Sequence, residues 1–179
     1  MHIDADVELV QQCLNGDGHA FELLIGKYEK PIYNAAFRML RDTSDAEDVT
    51  QTAFMKAFEK LDSYKPEFRF YSWLYRIVIN ESINVLNGRH YSTELDEERI
   101  PDRHTPETRT GQSQLSAAMQ DALMDISSDY RAVIVLRHFL ECSYHQIGEA
   151  LDIPEKTVKS RLFTARRLLR DRLADSGLV

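Results

Sequence analysis

The sequence predicts an all-α fold: two small helical domains joined by a flexible acidic linker, the C-terminal one a helix-turn-helix. Apolar residues recur at helical spacing along almost the whole chain, while strand-like alternation is scarce. Residues 88–114 hold only Tyr91, Leu95 and Ile100 as sizeable apolar side chains, with Pro101 and Pro106 among mixed charges. Such a segment buries too little surface to offset the entropy of ordering it. Residues 143–172 join an apolar helix, a turn at Asp152-Ile153-Pro154 and a second helix rich in cations. The domains are therefore set at 1–87 and 115–179, with the linker at 88–114.

Each element has a local signal. A first helix over 5–14 stops at Asn15-Gly16, a good C-terminal pair. A second, 20–28, buries Phe21, Leu24 and Tyr28, and Pro31 fits the first turn of a third, 31–40. Ser44 followed by Glu47 reads as a capping box opening a fourth helix, 45–61. A polar loop with Pro66 leads to a fifth, 70–87, ended by Asn87-Gly88. Periodicity resumes at Leu115 with Met119, Ala122, Leu123 and Ile126, and Ser128 caps a helix through about residue 140. Ser143 with Gln146 forms another capping box at the helix that carries Ile147 and Leu151. The last helix begins near Pro154 and buries Val158, Leu162, Ala165 and Leu169.

Composition narrows the function classes. With 179 residues, 43% hydrophobic and 28% charged, the chain suits one ordinary domain or two small ones with packed cores and a charged surface. No run of ~18 apolar residues suggests membrane insertion, and the start MHIDADVELV lacks the basic and apolar segments of a signal peptide. A cytoplasmic location is expected. Cys13, Cys142 and six scattered histidines show no metal-ligand spacing, so no metal and no cofactor are expected. No catalytic triad, carboxylate metal motif or phosphate-cradling glycine loop is legible, which argues against an enzyme.

Charge is unevenly placed. The net is −5 over 1–87, −2 over 88–114 and zero over 115–179, yet residues 156–172 carry seven cations against the single acid Asp171. Phosphate neutralisation acts residue by residue, so this helix suits nucleic acid. The chain's total of −7 opposes long-range attraction to DNA, so the helix is expected to arrive there within a larger assembly.

Three groups of residues carry candidate chemistry. Outside its buried stripe the last helix presents Lys156, Lys159, Ser160, Phe163, Thr164, Arg166 and Arg167, an arc able to lie in the major groove. A solvated cationic face near a helix C-terminus is the plainer alternative. The acidic stretch 42–48, running into Val49, Gln51 and Phe54, suits either dipole complements or a protein-binding surface. Tyr64, Phe68, Phe70, Tyr71, Trp73 and Tyr75 interleave with Lys65, Arg69 and Arg76, with Asn80 and Asn84 following and Lys56 preceding. Aromatics beside cations and amides can hold unstacked bases of a single strand; Phe70, Trp73, Leu74 and Ile77 at helical spacing are equally core.

The strings GDGHAFELLIGKYEKPIYNAAFRMLRD, DAEDVTQTAFMKAF, FYSWLYRIVINESIN and SSDYRAVIVLRHFLECSYHQIGEALDIPEKTVKSRLFTARR together resemble bacterial extracytoplasmic-function sigma factors, the minimal two-domain initiation factors of RNA polymerase. The resemblance spans nearly the whole chain and implies roles at matching positions. Asp45, Glu47, Asp48, Val49, Gln51 and Phe54 would dock on the polymerase β′ subunit. Residues 64–84 would recognise and open the minus-ten promoter element, with the 64–69 loop cradling a flipped base and Lys56, Arg76, Asn80 and Asn84 near the strand. Lys159, Ser160, Arg161, Phe163 and Arg167 would read the minus-thirty-five element. The acidic linker would thread polymerase channels that later hold nucleic acid.

The implied partners are core polymerase (β′ and β), promoter DNA and an anti-sigma factor, with no obligate homo-oligomer. Thr164 stands where many members carry Arg, Ile83 where the opening helix is often basic, and Gly148 where Ala is common. The alternative, a homodimeric helix-turn-helix regulator, would need a dimerisation element and a sensor domain, and neither is legible.

Overall fold

The computed structural model describes residues 5–95 and 111–175. The described residues fold as helices, without strands. Helix α1 (Ala5–Leu14) ends as expected at Gly16, whose φ of +96° is the left-handed conformation that glycine adopts without strain. The buried Asp6 carboxylate accepts hydrogen bonds from the Tyr28 hydroxyl and the Lys27 ammonium, clipping α1 onto α2.

Helix α2 (Gly18–Leu40) is continuous, so the expected break between residues 28 and 31 is corrected. Phe21, Leu24 and Tyr28 before Pro31, and Ile32, Ala35 and Met39 after it, form one buried stripe. Packing along the whole stripe outweighs the roughly 3 kcal/mol that an internal proline costs. Helix α3 (Thr43–Glu59) is capped by Asp42, whose side chain accepts from the Asp45 N–H at 2.9 Å. Ser44, the expected cap, is already helical. Asp42 is the last residue with extended backbone, which a cap requires.

A short 3₁₀ turn (Leu61–Ser63) and a polar loop lead to α4 (Phe70–Leu95). This helix runs through Asn87-Gly88, past the end expected for it at residue 87. Arg89 donates to the Leu40 carbonyl and pairs with Asp45, drawing the next turn onto the domain. Residues 96–110, which carry most of the linker expected at 88–114, lie outside the described residues. Leu24, Ile32, Met39, Phe70, Leu74 and Ile79 fill the core between α2, α3 and α4.

The second unit comprises α5 (Gly111–Met124), α6 (Ser128–Ile134), a π-helical turn (Val135–Phe139), α7 (Tyr144–Leu151) and α8 (Glu155–Asp175). Ser127 rather than Ser128 precedes α6: its ψ of 153° is extended, and Ser128 is already in the helix. The capping box at α7 is present, with the Gln146 N–H on Ser143 Oγ at 3.2 Å and the Ser143 N–H on Gln146 Oε1 at 2.7 Å. Asp152 ends α7 in the left-handed region, φ 56°, and makes the turn into α8. Gly148 lets that turn close, since a β-carbon there would lie 2.8 Å from the Ile153 carbonyl oxygen.

The two units pack together. Arg131 is 4% exposed and donates to the carbonyls of Leu123, Met124 and Ile126 at the end of α5, and across the interface to that of Met39. Burial, with the charge of Arg89, pulls its pKa down to about 10, opposed by Asp125, so it stays charged at neutral pH. Arg131→Met should leave these carbonyls without donors in a dry site and cost ~3 kcal/mol or more. Thermal unfolding followed by circular dichroism should then show a midpoint lower by roughly 6–12 °C. A shift within error would mean that water replaces the guanidinium.

Candidate nucleic-acid interface

Helix α8 buries Val158, Leu162, Ala165, Leu169 and Leu173 against α5, α6 and α7. Its outer arc exposes Lys156, Lys159, Ser160, Phe163, Arg166 and Arg167, with Thr164 half-buried at the edge; Phe163 is 71% exposed. A phenyl ring with that exposure suits contact with a thymine methyl, flanked by cations that suit guanine edges and phosphates. Arg161 departs from the expected arc: it turns toward α6 and pairs with Asp129 at 2.9 Å.

Two supporting residues escaped sequence reasoning. Lys159 Nζ lies 5.9 Å from the centre of the Tyr144 ring, whose other neighbour is the Arg137 guanidinium at 5.2 Å. Arg166 Nε donates to His138 Nε2 at 3.2 Å, which requires the imidazole nitrogen to be unprotonated. Burial, then the charges of Arg166 and Arg137, lower the His138 pKa and favour that state. Both contacts join α8 to residues on other elements, so no periodicity within one helix announces them.

In the N-terminal unit the aromatic cluster divides. Tyr64, Phe70 and Tyr75 are buried. Tyr64, expected to hold a flipped base, instead braces the loop: its hydroxyl donates to the Phe68 carbonyl at 2.7 Å and its ring packs on Phe70 and Trp73. Phe68 is 41% exposed, Trp73 half-buried, and Lys65, Arg69, Asn80 and Asn84 exposed, so the rim keeps stacking surface, cations and amides. Lys56 joins it from α3, held by Glu81 of α4 at 2.7 Å. Arg76 points at the other unit and pairs with Asp152 at 3.1 Å.

The acidic segment also divides. Asp45 pairs with Arg89, and Val49, expected at a partner surface, is 3% exposed and belongs to the core. Glu47, Asp48 and Gln51 are exposed. Phe54 is only 8% exposed, yet with Phe21, Ile25, Tyr33, Met55 and Phe58 it lines an apolar groove of about 860 Å³ between α2 and α3. Met55 and Phe58, each 57% exposed, form its lip, with Glu47 and Gln51 beside them. The surplus of apolar residues on α3 beyond its buried stripe was the sequence signal for this groove. Its form suits an amphipathic helix. Among the described residues no cluster of His, Cys, Asp or Glu could hold a metal ion, and no helix is long and apolar enough to cross a membrane.

These surfaces coincide with known families. The family described as Sigma-70 region 2 matches residues 24–90, and the one described as Sigma-70, region 4 matches residues 116–169. The chain is 34% identical to the ECF RNA polymerase sigma factor SigW of Bacillus subtilis, covering 93% of this chain and 95% of that protein. It is 33% identical to the RNA polymerase sigma-H factor of Pseudomonas aeruginosa, over 93% and 92% of the two chains. Among solved structures it resembles CnrH in complex with the cytosolic domain of CnrY, with a TM-score of 0.73 at 26% identity over 96% of this chain and 99% of that one. The fold is shared with RpoE in complex with the anti-sigma factor NepR from Bartonella quintana, with a TM-score of 0.72 at 24% identity over 86% and 96%. Both sigma regions follow in order along one chain whose relatives match it nearly end to end, and the protein belongs to the extracytoplasmic-function sigma factors of RNA polymerase.

Proposed function

We propose that the protein binds core RNA polymerase through the α2–α3 groove, reads and opens the minus-ten element with the rim of the 64–84 segment, and reads the minus-thirty-five element with α8. One observation carries this division of labour: the apolar groove, the aromatic–cationic rim and the basic helix are three separate surfaces, the first two largely within the residues matched by Sigma-70 region 2 and the third within those matched by region 4. A polymerase helix would lay its apolar side on Met55 and Phe58 and meet Glu47, Asp48 and Gln51 at the edge. The relatives solved with an anti-sigma factor support a protein inhibitor as a further partner. The chain works in the cytoplasm, where its polymerase is, and catalyses no reaction of its own.

Opening rests on differential contact. Extruding a base from the duplex costs a few kcal/mol, and stacking on an aromatic side chain returns ~1–3 kcal/mol per base. Phe68 and Trp73 offer that surface, Asn80 an amide for a pairing edge, and Lys56, Lys65 and Arg69 charge for the phosphates. The homodimeric regulator has no observation in its favour, since the relatives that match nearly end to end are sigma factors. Reconstituted transcription with core polymerase, with start sites mapped on genomic DNA, tests the whole assignment: no specific start sites above core alone would overturn it.

Charge reversal of Arg166 and Arg167 to Glu should nearly abolish promoter binding by the holoenzyme while leaving polymerase binding intact. For the unaltered protein, log affinity should fall with log salt at ~0.9 per phosphate neutralised, and the variant's slope should be shallower. Equal slopes would remove α8 from the interface. Met55→Glu with Phe58→Glu should retain the helical circular dichroism signal, because both side chains are already largely exposed, and should weaken capture of core polymerase more than tenfold in a competition assay. Asn80→Ala should keep polymerase binding and lose open complexes on duplex promoters, with recovery on a template mismatched across the minus-ten region. Permanganate reactivity of unpaired thymines reads the result, and normal opening on duplex DNA would return Asn80 to the inert surface.

A further inference from the structure

The π-helical turn before the helix-turn-helix sets a histidine against the flank of α8 without a counter-charge. Arg166 follows the buried Leu162 by four residues and precedes the buried Leu169 by three, so it stands at the edge of the packed stripe. Ser160 and Arg167 face away from that stripe, and Lys159 stands two turns before Arg166 on the same flank. At this edge the Arg166 Nε donates to His138 Nε2 at 3.2 Å, and both side chains are exposed. A helix lying in the major groove has a sugar–phosphate backbone along each flank, so its edge residues meet phosphates while its outermost residues meet bases.

The charged groups around the imidazole are cationic or already taken. Arg166 of α8 and Arg137 of its own turn are the charges that bear on it. Of the elements packed on the turn, α2 brings Arg38, which lies over the adjacent Phe139 ring. Helix α6 brings Asp129, held by Arg161, and Arg131, which serves backbone carbonyls. On α7, His145 and Glu149 pair with each other at 3.2 Å. Among the described residues no carboxylate pairs with His138 or Arg166. Burial and the two cations favour the neutral ring, which then accepts from Arg166. An anion beside the two side chains reverses that balance.

Resting on the function proposed above, we propose that His138 and Arg166 form a phosphate-binding site on the flank of α8, and that promoter binding there takes up a proton on the imidazole. In the free chain the Arg166 Nε–H occupies the His138 Nε2 lone pair, and the guanidinium keeps its amino groups for a phosphate oxygen. With a phosphate in place the ring gains a proton from solvent, and the bond between the two side chains is exchanged for charge-assisted bonds from each to the anion. A group whose pKa is higher in the bound state adds affinity that is full below its free-chain pKa and is lost as pH rises through the bound one. The free ring titrates below the usual imidazole range, so affinity should rise as the pH is lowered from about 8 to about 6. An opposite charge a few ångströms away favours the protonated ring about tenfold or more, and screening at an exposed site trims this to roughly three- to tenfold.

Fluorescence anisotropy of the holoenzyme on labelled promoter duplex, at constant ionic strength, tests this for the unaltered chain and for His138→Gln. The glutamine amide keeps an acceptor for Arg166 and cannot take up a proton. Between about pH 8 and about pH 6 the affinity of the unaltered holoenzyme should rise at least threefold more than that of the variant. Polymerase and the other histidines contribute equally to both. The slope of log affinity against log salt should also be steeper at the lower pH for the unaltered chain, by up to ~0.9 for one further phosphate neutralised. The variant's slope should be the same at both pH values.

A neutral brace for Arg166 that never meets phosphate predicts the opposite sign, because protonation would expel the guanidinium and weaken binding on acidification. An affinity that falls relative to the variant, pH responses equal within error, or a relative gain without the change in salt slope would each overturn the inference. If both holoenzymes still select promoters in those outcomes, the sigma-factor function stands and only the phosphate site falls. If neither holoenzyme tells promoter from other DNA at any pH, the function falls and the inference with it.

Discussion

The last turn of α2 ends in carbonyls that no further helical turn can satisfy, and their donors come from three parts of the chain. The Arg41 N–H returns to the Phe37 carbonyl, Arg89 of α4 reaches that of Leu40, and Gln120 and Arg131 of the C-terminal unit supply those of Phe37, Arg38 and Met39. Arg131 serves the end of α5 with the same guanidinium. One helix terminus thus draws donors from α4 and from the C-terminal unit to the same place. Arg38 over the Phe139 ring at 4.4 Å, and Arg41 paired with Asp121, add charge and packing at the same seam.

Satisfying polar groups across a domain interface has a particular energetic character. Gln120 is 5% exposed here, but its partners are backbone carbonyls that water can also solvate once the domains part. The exchange of protein for water hydrogen bonds is close to even. The buried apolar residues of the two units run together as one cluster, with α4 packed on α7 and α2 on α5 and the Val135–Phe139 turn, so apolar burial adds to these hydrogen bonds at the seam.

Within each unit, the proposed binding surfaces use what the core leaves over. Of the aromatic residues between 64 and 75, packing claims Tyr64, Phe70 and Tyr75, and the rim keeps Phe68 and Trp73. On α3 the core claims Val49, the cap claims Asp42 and an ion pair claims Asp45, leaving Glu47, Asp48 and Gln51 beside the apolar lip of Met55 and Phe58. On α8 the buried stripe is continuous, so the cationic arc stays on the surface almost whole, with Arg161 drawn aside to Asp129 and Arg166 bonded to His138. The clean separation on α8 follows from its having a single packed face.

The order of helices, the helix-turn-helix with its capping box at Ser143 and Gln146, and the stripe of α8 were legible in the sequence, because each depends on residues within one or two turns of one another. The family resemblance was legible for the same reason, being carried by contiguous strings. Tertiary packing decided the rest. It kept α2 unbroken across Pro31, since the apolar faces on both sides of that residue share one core. It extended α4 past Gly88, since Arg89 finds Asp45 and the Leu40 carbonyl far away in sequence. It also turned Val49 and Tyr64 inward and set Asp152 against Arg76. Periodicity reports which face of a helix is apolar; which side chains remain on the surface, and what they meet there, is settled only when helices distant in the chain come into contact.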